Sequence, residues 1–191
     1  MRKLIFFMHT SLDGFVAGLK GEMDWINIDE TMFDFVATMT DKADSALYGR
    51  VTYEMMQSYW PNAGKQPNAS KHDKEHSAWY NKVSKIVLSK TISEKGLDNT
   101  TVIGDQLADK INKIKNQDGK NILIFGSPSA AHSLFSQGLI DEFWLFVNPI
   151  LLGQGIPLFK GVTETTKLKL VETKTFSSGV IALHYETKRN E

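Results

Sequence analysis

Three short segments of this chain combine residue types suited to holding phosphate groups. Tyr48-Gly49-Arg50-Val51-Thr52-Tyr53-Glu54 offers a glycine for close backbone approach, a guanidinium fork, and a hydroxyl at the start of a helical pattern. Val87-Leu88-Ser89-Lys90-Thr91 puts a hydroxyl and an ammonium after an apolar run. Gly126-Ser127-Pro128-Ser129-Ala130-Ala131 is a small-residue turn opening into a helix, where backbone N–H groups and the helix dipole favour a pyrophosphate. Any one of these alone reads as a turn with an N-cap. Together, with cations at two of them, they point to a phosphorylated cofactor.

Other residues carry weaker signals. His72-Asp73-Lys74-Glu75-His76 matches the H-x-x-E-H spacing of some zinc peptidases. A zinc site needs a third ligand and a cleft, whereas this stretch is highly charged and adjoins a long polar loop, so no metal is expected. His9 ends the first apolar run, and strand alternation puts it on the side of Phe7, as a substrate or cofactor contact or a structural hydrogen bond. His132 and His184 read as structural. Trp25, Phe33, Phe35 and Trp60 either line a substrate mouth or fill core.

The elements that must position these residues alternate apolar runs with amphipathic stretches, the pattern of an α/β domain with a largely buried sheet. Residues 3–8 read as the first strand, closed by Ser11-Leu12-Asp13-Gly14. Residues 30–39 carry a helical stripe of Met32, Phe33, Phe35, Val36 and Met39, with Asp29 as cap. A strand at 45–48 leads into a helix from Val51 to about Tyr59, and 61–71 is the longest expected loop. A helix at 72–82, strands at 85–88 and 101–103, a helix at 107–115, a strand at 121–125, a helix to Gln137 and a strand at 143–147 follow. Stretches 166–175 and 180–185 flank Ser177-Ser178-Gly179 as an antiparallel hairpin. The expectation is one α/β domain over residues 1–191, three-layered, with a mixed, mostly parallel sheet of about eight strands and helices on both faces.

Bulk composition narrows the function classes. The chain has 191 residues, 41% hydrophobic and 23% charged, enough for one domain with a sizeable core. Lys plus Arg and Asp plus Glu balance at 22 each, so nothing recommends nucleic acid or an anionic membrane as partner. The absence of cysteine excludes a disulfide scaffold, a thiolate metal site and a cysteine nucleophile, and fits a reducing compartment. The apolar run at 4–8 stops at His9-Thr10-Ser11, too short for a signal peptide or a membrane helix, so a cytoplasmic protein is expected.

The ordered set of motifs resembles the dihydrofolate reductase-like superfamily, especially the branch containing the reductase domain of bacterial bifunctional riboflavin-biosynthesis proteins. Ser11-Leu12-Asp13-Gly14 is similar to that branch's signature after strand one. Gly49-Arg50-Val51-Thr52-Tyr53-Glu54 resembles the Gly-Arg-x-Thr-aromatic-Glu segment of dihydrofolate reductases. Ile86-Val87-Leu88-Ser89, Ile122-Leu123-Ile124-Phe125-Gly126-Ser127, Gly138-Leu139-Ile140-Asp141-Glu142 and Pro149-Ile150-Leu151-Leu152-Gly153-Gln154-Gly155 follow in family order. The resemblance implies an NADPH-dependent hydride transfer to a small pterin-like, pyrimidine or related heterocycle. Arg50 and Lys90, with Ser89, would hold the 2′-phosphate; Gly49, Thr52, Gly126, Ser127, Pro128, Ser129 and Ala130 would surround the pyrophosphate; Ala17 would close over the nicotinamide. It also implies a cis peptide at Gly126-Ser127 and a symmetric dimer, for which the apolar stretch 149–159 would want a partner.

The chain departs from the family at the substrate. Asp24, not proline, precedes Trp25, and the candidate catalytic carboxylates are Asp29 and Glu30, with Asp13 as a further candidate; His9, Trp25 and Phe33 are candidate substrate contacts. Asp29 and Glu30 serve equally as a helix cap and a first-turn acid. Val83 stands where folate-reducing members carry a clamping arginine, and the Asp-Asp-Pro segment of the riboflavin reductase is missing after Thr52, so neither folate nor the riboflavin-pathway substrate is expected. A nucleotide-binding module without turnover is the alternative. A metal-dependent hydrolase on His72 and His76 is the third reading.

Overall fold

The computed structural model describes residues 1–160, 162 and 165–188. Ten strands and five helices follow one another among these: β1 (Leu4–Ser11), β2 (Phe15–Ala17), α1 (Glu30–Thr40), β3 (Ala43–Gly49), α2 (Arg50–Ala63), α3 (Lys71–Lys82), β4 (Ser84–Leu88), β5 (Thr100–Ile103), α4 (Leu107–Lys115), β6 (Asn121–Phe125), α5 (Pro128–Phe135), β7 (Glu142–Asn148), β8 (Ile156–Pro157), β9 (Leu168–Thr175) and β10 (Ile181–Thr187). Eight strands form one sheet in the order β5-β4-β3-β6-β1-β7-β10-β9. The pairings from β5 through β7 are parallel, and the β7–β10 and β10–β9 pairings are antiparallel. This is the mixed α/β sheet expected, with its antiparallel end made by the final hairpin.

β1 shows why the strands read as continuous apolar runs. Ile5 and Phe7 pack on one side with Met32, Val36 and Met39 of α1, Tyr53 of α2 and Tyr80 of α3. Leu4, Phe6 and Met8 pack on the other with Ile111 of α4 and Ala130, Ala131 and Leu134 of α5. Both faces of a central parallel strand are covered, so its sequence does not alternate apolar with polar.

The differences from the sequence reading lie at element ends. α2 runs through Pro61 to Ala63, a turn beyond the expected end, because Ala63 is buried and Trp60 packs against the core; tertiary contact outweighs the lost proline N–H. α5 ends at Phe135 rather than Gln137. The small sheet of β2 and β8 was not foreseen, since three and two residues are too short for a periodic signal. Gly155 makes that sheet possible: a Cβ there would sit 2.3 Å from the Ala17 carbonyl oxygen. No helix among the described residues is long and apolar enough to cross a membrane.

Two of the histidines read as structural serve packing. His132 Nε2 lies 2.7 Å from the Leu158 carbonyl, and His184 Nε2 lies 2.9 Å from Glu142 while its ring stacks on Trp144.

Candidate active site

A cleft of about 1020 Å³ crosses the carboxyl ends of five adjacent parallel strands, β5, β4, β3, β6 and β1. Ligands bind at this edge of open α/β sheets, where strands turn into helices. Ala17, Gly49, Arg50, Thr52, Ser89, Lys90, Gly126, Ser127, Pro128, Ser129 and Ala130 all line it, as does His9. The three phosphate-type segments, far apart in sequence, are thus brought into one cavity.

Three helices begin on this cleft, and none has a side-chain cap. α2 follows Gly49, α4 follows Gln106 and α5 follows Ser127, and no side chain bonds the first-turn amides of any of them. The Ser127 hydroxyl, the obvious cap for α5, accepts instead from the Gly49 N–H at 2.9 Å and donates to the Phe125 carbonyl at 3.2 Å. It thereby ties the starts of α2 and α5 together. First-turn N–H groups with no acceptor and a shared positive dipole end make an anion site.

The Gly126–Ser127 peptide is trans, which corrects the cis bond expected there. The turn is built instead from two successive left-handed residues, Gly126 and Ser127, each at φ 57°. That reversal brings Ser127 under Gly49 without a cis bond. Serine in the left-handed region is strained, and its two hydrogen bonds hold it there.

Among the cleft-lining residues the charged side chains are Arg50, Lys90 and Asp105, which follow β3, β4 and β5. Arg50 Nη1 pairs with both carboxylate oxygens of Glu54, at 2.8 and 3.1 Å, on an exposed helix surface. Such a pair is weak, so the guanidinium can exchange Glu54 for a phosphate. Ser89 shapes the turn that presents Lys90, its hydroxyl accepting from Thr91 and Ile92 N–H at 3.1 Å each. Asp105 was not anticipated. Lys110 bonds its carboxylate and, with Lys90 adding to the effect, holds its pKa below the usual range.

The β1 end of the cleft is different. Phe7 and Phe125 from the sheet, Met55 and Met56 from α2, and Met23 and Ile26 from the loop before α1 line the cleft together with His9. The His9 ring lies 5.1 Å from Phe146 and 5.8 Å from Phe7, and burial pushes its pKa down to about 4, so it is neutral at physiological pH. The methionines and Ile26 could not have been found from spacing, because scattered apolar residues read as core.

The remaining predicted residues do not line the cleft. Asp29 caps α1: it accepts from Thr31 Oγ1 at 2.7 Å, Met32 N–H at 2.9 Å, Ser177 Oγ at 2.7 Å and Ser178 N–H at 3.0 Å. These donors, the Thr31 and Ser177 hydroxyls foremost, hold its carboxyl well below the usual carboxylate range. Glu30 is exposed in the first turn of α1. Asp13 accepts from Ser11 Oγ at 2.6 Å, Gly153 N–H at 2.7 Å and Leu152 N–H at 3.2 Å, which lowers its pKa and anchors segment 149–155 over the β1–β2 turn. Trp25 donates to the Glu22 carbonyl. Phe33 stacks on His72 at 3.8 Å.

The zinc-like pair is occupied by packing. His76 lies 4.1 Å from Trp60, its pKa pushed down to about 3 by burial, and burial lowers His72 as well. Among the described residues no three His, Asp or Glu side chains come together to hold a metal ion.

Comparison with known proteins agrees with this architecture. Residues 2–182 match the RibD C-terminal domain model. YyaP of Bacillus subtilis (strain 168) is 36% identical over 189 residues, covering 96% of this chain and 94% of that protein. A Shewanella sp. PV-4 protein assigned to riboflavin biosynthesis superposes with a TM-score of 0.73 at 25% identity, over 98% of this chain and 99% of that one. Dihydrofolate reductase of Enterococcus faecalis superposes with a TM-score of 0.63 at 12% identity, over 98% and 97% of the two chains. The chain belongs to the RibD C-terminal domain family, on a fold shared with dihydrofolate reductase.

Proposed function

We propose that this protein is an NADPH-dependent reductase that delivers hydride to a small conjugated heterocycle. Family membership supports a reductase-type function. The observation that carries the cofactor is the set of uncapped helix starts on one cleft, flanked by Arg50 and Lys90. The E. faecalis enzyme of like fold was solved with NADP(H). Arg50 and Lys90, with Ser89, would hold the 2′-phosphate, and the amides at the starts of α2 and α5, with Thr52, would hold the pyrophosphate. Ala17, fixed by the β2–β8 pairing, would border the nicotinamide.

Bound NADPH supplies the hydride and is left as NADP⁺; the protein contributes position and dryness. Asp105, at the β5 end, is the carboxylate among the cleft-lining residues, so the proton that completes the reduction would come from solvent rather than from Asp13, Asp29 or Glu30. Fluorescence titration tests the cofactor: NADPH should bind more tightly than NADH. No NADPH binding would end this reading.

That same lack of a carboxylate at the β1 end favours a second reading, a nucleotide-binding module without turnover. NADPH oxidation by the purified protein against a panel of heterocycles decides between them. The proposal includes a symmetric dimer and a cytoplasmic setting. Leu151 and Phe159 of segment 149–159 are exposed, and light scattering tests the dimer.

A further inference from the structure

His9 is the polar side chain that β1 places on the cleft, and its neighbours determine how it can act. Asn148, at the end of β7, is buried beside His9. Its Oδ1 accepts from the Asn27 N–H at 3.0 Å. Its Nδ2 donates to the Phe146 carbonyl at 3.0 Å and the Thr10 carbonyl at 3.3 Å. Backbone groups cannot exchange donor and acceptor roles, so this amide cannot be flipped. The same Nδ2 lies 3.4 Å from His9 Nδ1. That nitrogen has two hydrogens for three acceptors and no lone pair, so a shared hydrogen reaches His9 Nδ1 as the acceptor, and Nε2 carries the ring hydrogen. Among the described residues Nε2 has no hydrogen-bond partner, although His9 lines the cleft.

The surroundings exclude a charged ligand there. Phe7, Phe125, Met23, Ile26, Met55 and Met56 are apolar. Lys90 follows β4, three strand spacings from β1, or roughly 14 Å at ~4.8 Å per spacing. Arg50 follows β3, two strand spacings from β1, or roughly 10 Å. A phosphate or carboxylate at the β1 end would be desolvated with no cationic side chain among the cleft-lining residues of β1 or its neighbour β6.

We infer that the Nε2–H of His9, fixed as a donor by Asn148, receives a carbonyl oxygen of an uncharged, flat, conjugated substrate, and that this apolar end rejects substrates bearing phosphate or carboxylate. This rests on the reductase reading for the identity of the cleft. It makes His9 a substrate-binding residue and Asn148 a positioning residue. Asn148 also links His9 to the loop before α1 through Asn27, whose Nδ2 donates to the Ser178 carbonyl at 3.3 Å.

Coumarin and coumarin-3-carboxylate are a matched neutral and anionic probe pair, measurable by equilibrium dialysis without nucleotide. Coumarin should bind at least about tenfold more tightly than its carboxylate. His9→Phe should weaken coumarin about tenfold, the worth of one hydrogen bond. The phenyl ring suits the aromatic floor, and Asn148 keeps both carbonyl partners, so the variant orphans no buried group. Long-range ¹H–¹⁵N spectra of the unmutated protein read the tautomer directly, with Nε2–H expected for His9. Equal or tighter binding of the carboxylate, undiminished coumarin binding by His9→Phe, no coumarin binding at its solubility limit, or an Nδ1–H tautomer would each overturn the inference. A separate NADPH titration keeps the two readings apart: its failure with the coumarin results intact removes the cofactor and leaves the carbonyl site.

Discussion

Helices α1 and α3 begin under side-chain caps, whereas α2, α4 and α5 do not. Asp29 accepts from Met32 N–H at the start of α1, and Ser70 and Asp73 cap one another reciprocally at the start of α3. Neither start lines the cleft; the three bare ones do. An uncapped helix forgoes roughly 1 kcal/mol. Bearing that loss three times around one cavity makes sense if a ligand supplies the missing acceptors. The contrast separates helix ends that stabilise the chain from helix ends held open for an anion.

The sharpest way to break this contrast is to convert one kind of start into the other. Gly49, the N-cap position of α2, has φ −78° and an added Cβ would meet nothing nearer than Ala130 Cβ at 3.5 Å. Gly49→Asp should therefore fold, with equal or slightly higher thermal stability, since Gly to Asp at an N-cap gains only a few tenths of a kcal/mol. Its carboxylate would occupy the amides and repel phosphate, weakening NADPH by at least about a hundredfold in a fluorescence titration. Unchanged affinity would show that α2 does not hold the pyrophosphate.

Removing the flanking cations gives a smaller, selective effect. Arg50→Ala with Lys90→Ala should weaken NADPH by roughly tenfold or more and NADH by less than about threefold, because only the former has a 2′-phosphate to lose. Equal losses would place both cations elsewhere on the cofactor.

At the capped starts the expected effects are on stability alone. Ser70→Ala removes the acceptor for the Asp73 N–H, 3.1 Å away, and should lower unfolding free energy by about 1 kcal/mol with NADPH affinity unchanged. Asp29 gives the smallest and most pH-specific change. Its folded pKa lies below the unfolded value of roughly 3.9, so its contribution is complete above that value and lost as pH falls below it. Asp29→Asn should flatten the acid limb of a thermal-midpoint against pH curve without altering cofactor affinity. A change in NADPH binding by either variant would erase the distinction between the two kinds of helix start.

Much of this was legible in the chain because local signals carried it. Gly49-Arg50 and Gly126-Ser127 each sit where a strand turns into a helix, which shows in the switch of hydrophobic period, and Ser89-Lys90 marks the end of the apolar run of β4. The substrate side was less legible. Asp29, Glu30 and Asp13 are acids in suggestive places, yet two of them are engaged by hydroxyls and amides from residues far along the chain, such as Ser177 and Gly153. Met23, Ile26, Met55 and Met56 look in sequence like any other apolar residues.

By itself the sequence determined the α/β alternation, the buried character of β1 and the residue types at the three turns, because strand and helix periodicity and turn chemistry act over a few neighbours. Only the tertiary structure decided that the turns after β3, β4 and β6 share one cavity, since strand order is set by packing across both faces of the sheet. It likewise decided that Ser127 spends its hydroxyl on Gly49 rather than on capping α5, and that Asn148 meets His9, 139 positions away in sequence. Hydrogen bonds of that range depend on register between strands, which no local signal encodes.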